Sequence, residues 1–103
     1  MKNRRAAGQA NPDREQAQMA AAELAVAALT FIAGEPEKLG RFLALSGIGP
    51  ESIREAARAP GFLLGVLDYI AGDETLLLAF AEHSGVDPSD IESAQRVLAG
   101  GAP

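Results

Sequence analysis

A chain of 103 residues has room for one small domain, and its core must come from the whole chain because a domain of this size buries only about two-thirds of its unfolded surface. Its 48% hydrophobic and 22% charged residues exclude a wholly disordered chain, which would be poorer in apolar residues. The absence of cysteine excludes disulfides, thiolate metal sites and cysteine nucleophiles, and it favours a reducing compartment.

Charge and hydropathy patterns indicate where the protein works. The formal net charge is −5, and residues 61–103 carry seven acidic side chains with Arg96 as their one basic side chain. The longest apolar stretch, Leu24 to Ala33, is about half a membrane span, and no secretory signal follows the basic first residues. The sequence therefore predicts a cytoplasmic protein that does not use a membrane.

Proline near the start of apolar segments and glycine just past their ends predict six helices. The first helix is expected from Pro12 to Ala33, the second from about Pro36 to Ser46, and the third from Pro50 to Ala59. Pro60 ends the third helix, because a residue that precedes proline is pushed out of the α region.

The second half of the chain continues the pattern. The fourth helix is expected from Pro60 to about Ala71, and its near-continuous apolar residues 62–67 predict a central position. Asp73 is expected to cap the fifth helix and Asp87 the sixth. Because alternating β-branched segments are absent, the predicted fold class is all-α. The predicted domain organisation is a disordered basic tail at 1–11, one helical domain at 12–99 and a disordered tail at 100–103.

An internal duplication is visible when the chain is shifted by 38 positions. Leu24 to Arg58 then aligns with Phe62 to Arg96 without a gap. Twelve of the 35 pairs are identical, where composition alone would give roughly two to four. They are Leu29/Leu67, Ile32/Ile70, Ala33/Ala71, Gly34/Gly72, Leu39/Leu77, Phe42/Phe80, Ser46/Ser84, Gly47/Gly85, Pro50/Pro88, Ile53/Ile91, Ala56/Ala94 and Arg58/Arg96.

These pairs predict two pseudo-symmetric three-helix repeats, at about 24–58 and 62–96, packed into one globule. The first and fourth helices are the least polar, so we expect a pseudo-twofold axis to bury them between the halves. Gly47 and Gly85 suit the left-handed residue that ends a helix, and Gly49 would precede the third helix as its N-cap.

The turn Gly47 to Gly49 also supports an alternative function. Its Gly-hydrophobic-Gly pattern resembles the hairpin of helix-hairpin-helix modules, in which backbone amides bind a nucleic-acid phosphate, and Arg54 and Arg58 would assist. Against this hypothesis, the surrounding charges balance, and the second copy has Asp87 where Gly49 stands. Nucleic acid is therefore the alternative partner rather than the expected one.

Catalytic and metal-binding patterns are not evident in the sequence. His83, the single histidine, has no evident metal or catalytic partner, and its place near a helix end is an ordinary one. No phosphate-binding loop or nucleophile motif occurs. The aromatic residues fall in apolar helical registers and predict core packing. We therefore expect no enzyme activity, no cofactor and no bound metal.

Two stretches resemble a small all-α alphaproteobacterial family of unknown function. They are residues 39–57, LGRFLALSGIGPESIREAA, and residues 60–81, PGFLLGVLDYIAGDETLLLAFA. The resemblance covers about residues 22–99. It implies an all-α fold and a bacterial cytoplasm, and it supplies no activity, cofactor or site residues.

The leading functional hypothesis is a non-enzymatic protein-interaction module with an acidic second half that meets a basic protein surface. The candidate contact residues are Asp73, Glu74, Asp87, Asp90 and Glu92. The alternative is that these acids bind no partner and only solubilise the domain and cap its helices. The expected partner is an unidentified protein, and the chain itself is expected to be a monomer or a weak homodimer.

Overall fold

The structure is a computed structural model that describes residues 12–101, apart from the side chains at positions 12, 50 and 60. Six α-helices and one 3₁₀ turn account for most of this stretch, which contains no strand. The helices are α1 (Pro12–Ala33), α2 (Pro36–Ser46), α3 (Ile53–Ala56), α4 (Pro60–Ala71), α5 (Glu74–Ser84) and α6 (Pro88–Leu98), and the 3₁₀ turn is Pro50–Ser52. The predicted all-α fold is confirmed, whereas the predicted tail at 1–11 lies outside the described residues.

Helices α1, α4 and α6 pack on one another and form the centre of the fold. Helix α4 also contacts α2 and α5, in agreement with its apolar sequence. The core contains no buried polar or charged side chain among the described residues. Its side chains are Ala21, Ala25, Ala28, Ile32, Phe42, Leu63, Val66, Leu67, Ile70, Leu76, Phe80, Ala81, Ile91, Ala94 and Val97.

Helix α1 is apolar on its outer face as well as on its inner one. Met19 is 64% exposed and Val26 is 45% exposed, while Ala25 and Ala28 are fully buried. Within the described residues, Asp13–Ala33 is long and apolar enough to cross a membrane by length and composition alone. A core helix of a water-soluble protein meets the same criterion, so the finding is weak evidence for a membrane span.

The helix ends follow the glycine and proline pattern of the sequence. Helices α2 and α5 begin 38 residues apart and also end 38 residues apart. Each is closed by a glycine with φ of 72°, Gly47 and Gly85, which is the left-handed conformation that glycine adopts without steric cost. Asp73 caps α5 as predicted, because its Oδ1 accepts a 3.2 Å hydrogen bond from the Leu76 N–H.

The third helix is shorter than predicted. In place of a helix over 50–59, the chain forms the 3₁₀ turn and then only four α-helical residues, Ile53–Ala56. Gly49 has no side chain with which to cap a helix. At the start of α6, in contrast, the N–H of the N-cap residue Asp87 donates a 3.0 Å hydrogen bond to Asp90 Oδ2. Pro60 then starts α4, so the segment has no length in which to continue.

Candidate functional site

A groove between α2 and α4 has an aromatic lining. It has a volume of about 340 Å³ and is lined by Phe42, Leu45, Ser46, Phe62, Gly65, Asp68 and Tyr69. The Phe42 ring centroid lies 5.6 Å from that of Phe62 and 5.4 Å from that of Tyr69, in the tilted and edge arrangements that aromatic pairs prefer. We call this surface the α2/α4 groove.

The edge of the α2/α4 groove carries an unusually exposed leucine. Leu45 follows Phe42 by one turn of α2, and 73% of its side chain is exposed, the largest fraction among the described large apolar residues. The two helices are also linked by a polar contact, because the Tyr69 hydroxyl donates a 3.4 Å hydrogen bond to the Lys38 carbonyl. At Gly65, which lines the groove, an added Cβ would meet nothing within 4 Å, so the groove is open at this position.

Acidic side chains border the α2/α4 groove on one side. The surface continues past Leu45 and Tyr69 to a cleft lined by Arg41, Asp68, Gly72, Asp73 and Glu74. We call Asp68, Asp73 and Glu74 the acidic rim. Asp68 accepts a 2.7 Å hydrogen bond from the Gln95 amide, and Asp73 caps α5. Among the described residues, no ion pair neutralises these three carboxylates.

A second groove lies between α1 and α5, at positions related to the first by the 38-residue shift. We call it the α1/α5 groove; its lining is Ala27, Thr30, Phe31, Gly34, Glu35, His83 and Ser84, and its volume is about 660 Å³. The Phe31 and Phe80 ring centroids are 5.5 Å apart. The 38-residue shift relates this pair to Tyr69 and Phe42, whose centroids are 5.4 Å apart. The ring of His83, the counterpart of Leu45, lies 5.1 Å from that of Phe31.

The two grooves differ in the side chains that surround this shared ring pair. Where the α2/α4 groove has Leu45, Gly65 and Asp68, the α1/α5 groove has His83, Ala27 and Thr30. One groove is therefore apolar with an acidic rim, whereas the other has a larger volume and is more polar.

The structure divides the five predicted contact acids into two groups. Asp73 and Glu74 lie at the start of α5 on the acidic rim. Asp87, Asp90 and Glu92 lie at the start of α6, at the other end of α5, an 11-residue helix about 16 Å long. Glu92 lies one turn of α6 before Gln95, whose amide donates to Asp68 of the acidic rim. The hydrogen bond from the Asp87 N–H to Asp90 serves to start α6.

The predicted phosphate-binding turn is present as a turn but has an acid against it. Gly47 ends α2, and Arg54 and Arg58 are exposed. The Glu51 carboxylate packs on Gly49, with Oε2 only 2.7 Å from where a Cβ would lie. A helix-hairpin-helix module directs helix amides at a phosphate, whereas here a 3₁₀ turn follows Gly49 and Glu51 supplies negative charge.

Sequence reasoning did not identify Leu45 or Gly65 as site residues. The duplication contains one signal for Leu45: its aligned counterpart is the polar His83. A position that is leucine in one copy and histidine in the other is not part of a core that both copies share. Over the described residues, no group of three metal-type side chains gathers. In the α2/α4 groove, the Ser46 hydroxyl donates to the Leu43 carbonyl and not to the Asp68 carboxylate that lines the same groove. The site can thus offer apolar contact, aromatic rings and carboxylate oxygens to a ligand.

Comparison with known proteins places the chain in a family. No curated protein and no solved structure matches it. Residues 18–101, which include all six helices except the first turns of α1, match the family described as protein of unknown function (DUF3572). The chain therefore belongs to that family, whose description assigns no activity.

Proposed function

We propose that this chain is a non-enzymatic protein-interaction module whose docking surface is the α2/α4 groove with its acidic rim. The observation that carries the proposal is Leu45, a leucine 73% exposed at the edge of an aromatic groove. Contiguous apolar surface on a small protein costs solubility, and it commonly marks a site that a partner covers.

The chemistry of the groove supports binding rather than catalysis. Catalysis by a hydroxyl nucleophile needs a base within hydrogen-bond reach, and the Ser46 hydroxyl instead bonds to a backbone carbonyl. His83 packs on Phe31 in the other groove. We therefore propose no reaction and no cofactor for this site.

We also propose that residues 24–58 and 62–96 are copies of one ancestral unit arranged about a pseudo-twofold axis. Three observations support this: α2 and α5 have matching bounds, Gly47 and Gly85 share one φ value, and equivalent ring pairs cross between the halves at 5.4 and 5.5 Å. The proposal explains why the chain has two related grooves.

The nucleic-acid hypothesis is not favoured by any described contact. The Glu51 carboxylate against Gly49 would repel a phosphate that approached the turn, and this leaves Arg54 and Arg58 as ordinary exposed charges. A cytoplasmic location and the absence of a membrane role stay predictions from the sequence.

The proposed function is tested by affinity capture with a single substitution in the groove. We expect the tagged full chain to recover a specific protein from a lysate of cells that express it naturally. Leu45→Glu should abolish that recovery, because it removes the apolar contact and places a charge at the edge of the groove.

The matched control is Met19→Glu, since Met19 is 64% exposed on α1 and lines neither the α2/α4 groove nor the cleft of the acidic rim. This variant should capture the same protein as the unmodified chain. If Leu45→Glu and the unmodified chain capture the same proteins in equal amounts, the α2/α4 groove is not the docking surface and the proposal fails.

A further inference from the structure

Resting on the proposed function, we infer that the occupant of the α2/α4 groove is a basic amphipathic helix of a partner protein. Its apolar side chains would lie on the Phe42, Phe62 and Tyr69 rings, and its lysines or arginines would face the acidic rim. The inference adds the chemistry of the partner to the site.

The shape of the groove favours a helix as its occupant. The groove runs between two helices, and the described part of the chain offers no strand edge with which an extended peptide would pair. Amphipathic helices bind such grooves through apolar anchors spaced three and four residues apart. The open space at Gly65 would accept one anchor side chain between Leu45 and Tyr69.

The charges beside the groove favour a basic occupant. Asp68, Asp73 and Glu74 line one side, with Arg41 as the single cation in that cleft. Within the described residues no ion pair neutralises these carboxylates, and three carboxylates outnumber the one guanidinium, so an incoming cation meets a net negative field. An acidic helix of the same apolar pattern would be repelled.

The α1/α5 groove provides a comparison within the same molecule. Thr30 stands where Asp68 would be, and its hydroxyl donates a 3.0 Å hydrogen bond to the Val26 carbonyl. Glu35 is the one carboxylate in that lining, and His83 and Ser84 add polar atoms. The same helix should therefore prefer the α2/α4 groove.

The inference is tested with two synthetic peptides and the isotope-labelled full chain. One peptide is an amphipathic helix with leucines along one face and lysines on both sides of them; the other replaces every lysine by glutamate. We expect the lysine peptide to shift the amide signals of Leu45, Gly65 and Tyr69 in a saturable way. The glutamate peptide should bind about tenfold more weakly or not at all.

Two pairs of variants separate the contribution of the acidic rim from that of the apolar groove. Glu74→Lys should weaken binding of the lysine peptide about threefold, as the reversal of one exposed charge does, while Glu23→Lys, which makes the same charge change at an exposed position of α1, should leave it unchanged. Gly65→Met should fill the groove and weaken binding about tenfold. Gly40→Met, at an exposed α2 glycine with open space, should not.

Several results would overturn the inference. They are equal binding of both peptides, signal changes at Thr30 and His83 instead of Leu45, and no binding of either peptide. Groove signals that depend on protein concentration would identify a second copy as the occupant. Groove signals that shift when Arg4 and Arg5 are replaced by glutamine, with no peptide added, would identify the chain's own N-terminal residues.

The outcome for the inference is separable from that for the proposed function. If neither peptide binds but capture of a protein still depends on Leu45, the partner is not a basic helix and the docking function stands. If capture does not depend on Leu45, the docking function itself fails, whatever the peptides do.

Discussion

The two halves of the chain agree in the last residues of α1 and α4 and in both bounds of α2 and α5, but their third helices differ. Residues 88–98 form an 11-residue helix that buries Ile91, Ala94 and Val97, whereas the aligned residues 50–60 form a 3₁₀ turn and a four-residue helix with no buried side chain. Local turn residues therefore fix where a helix begins. Entry into the core also requires enough chain, and Pro60, which begins α4, ends the third segment of the first half early.

The two grooves share their aromatic rings and differ in the residues around them. The ring pair beneath each groove is kept, Tyr69 with Phe42 and Phe31 with Phe80. The positions above the rings diverge, with Leu45 against His83 and Asp68 against Thr30. Packing requirements thus hold the interior constant, while the exposed positions are free to become a binding surface in one half only.

The largest expected effect comes from the ring pair. Phe80 is fully buried, so Phe80→Ala should lower the free energy of unfolding by about 3–5 kcal/mol. Phe42→Ala should cost less, at the lower end of that range, because Phe42 borders the open α2/α4 groove. Urea denaturation followed by circular dichroism measures both. If Phe42→Ala lowers the free energy of unfolding more than Phe80→Ala does, the proposed difference between the grooves is wrong.

The third helices give the next largest effect. Ile91 is fully buried, and Ile91→Ala should lower the free energy of unfolding by about 2–4 kcal/mol. Ile53, its aligned counterpart, is only half-buried in α3, so Ile53→Ala should cost about 1 kcal/mol or less. Equal losses in urea denaturation would show that α3 contributes to the core as α6 does.

The two left-handed glycines should behave alike. At Gly47 and at Gly85 an added Cβ meets no neighbour within 4 Å, so the cost of alanine there comes from φ of 72° alone. Each substitution should lower the free energy of unfolding by about 1 kcal/mol. A difference of more than about 1 kcal/mol between Gly47→Ala and Gly85→Ala in chemical denaturation would contradict the equivalence of these turns.

The smallest expected effect is a gain in stability. Gly40 and Gly65 lie inside α2 and α4 with open space for a Cβ, so Gly40→Ala and Gly65→Ala should each raise the free energy of unfolding by up to about 1 kcal/mol. Thermal unfolding measures the gain. A loss at Gly65 but not at Gly40 would mean that Gly65 is closely packed and that the α2/α4 groove is not open there.

Much of the fold was predictable because proline and glycine act locally. Pro12, Pro36, Pro60 and Pro88 begin helices, and Asp73 caps α5, as predicted. The short α3 was not predicted, because periodicity shows an apolar face without showing whether a helix packs on it. Its signal was Pro60, which follows it closely and begins the next helix.

The candidate site was less predictable than the fold. The sequence indicated an acidic second half, but only tertiary packing shows that Asp68, Asp73 and Glu74 lie beside Leu45 and Tyr69. Leu45 was missed because exposure depends on which helices cover it. Its alignment with His83 is a hint that becomes informative once both grooves are visible.

Photo-crosslinking in cells tests most directly whether one groove, and not its counterpart, meets a partner. A photoreactive phenylalanine analogue is placed at Leu45 in one variant and at His83 in another, two positions 38 residues apart in the chain. We predict a discrete crosslinked protein with the probe at position 45 and none with the probe at position 83. A crosslink at position 83 alone, at both positions equally, or at neither would contradict the account.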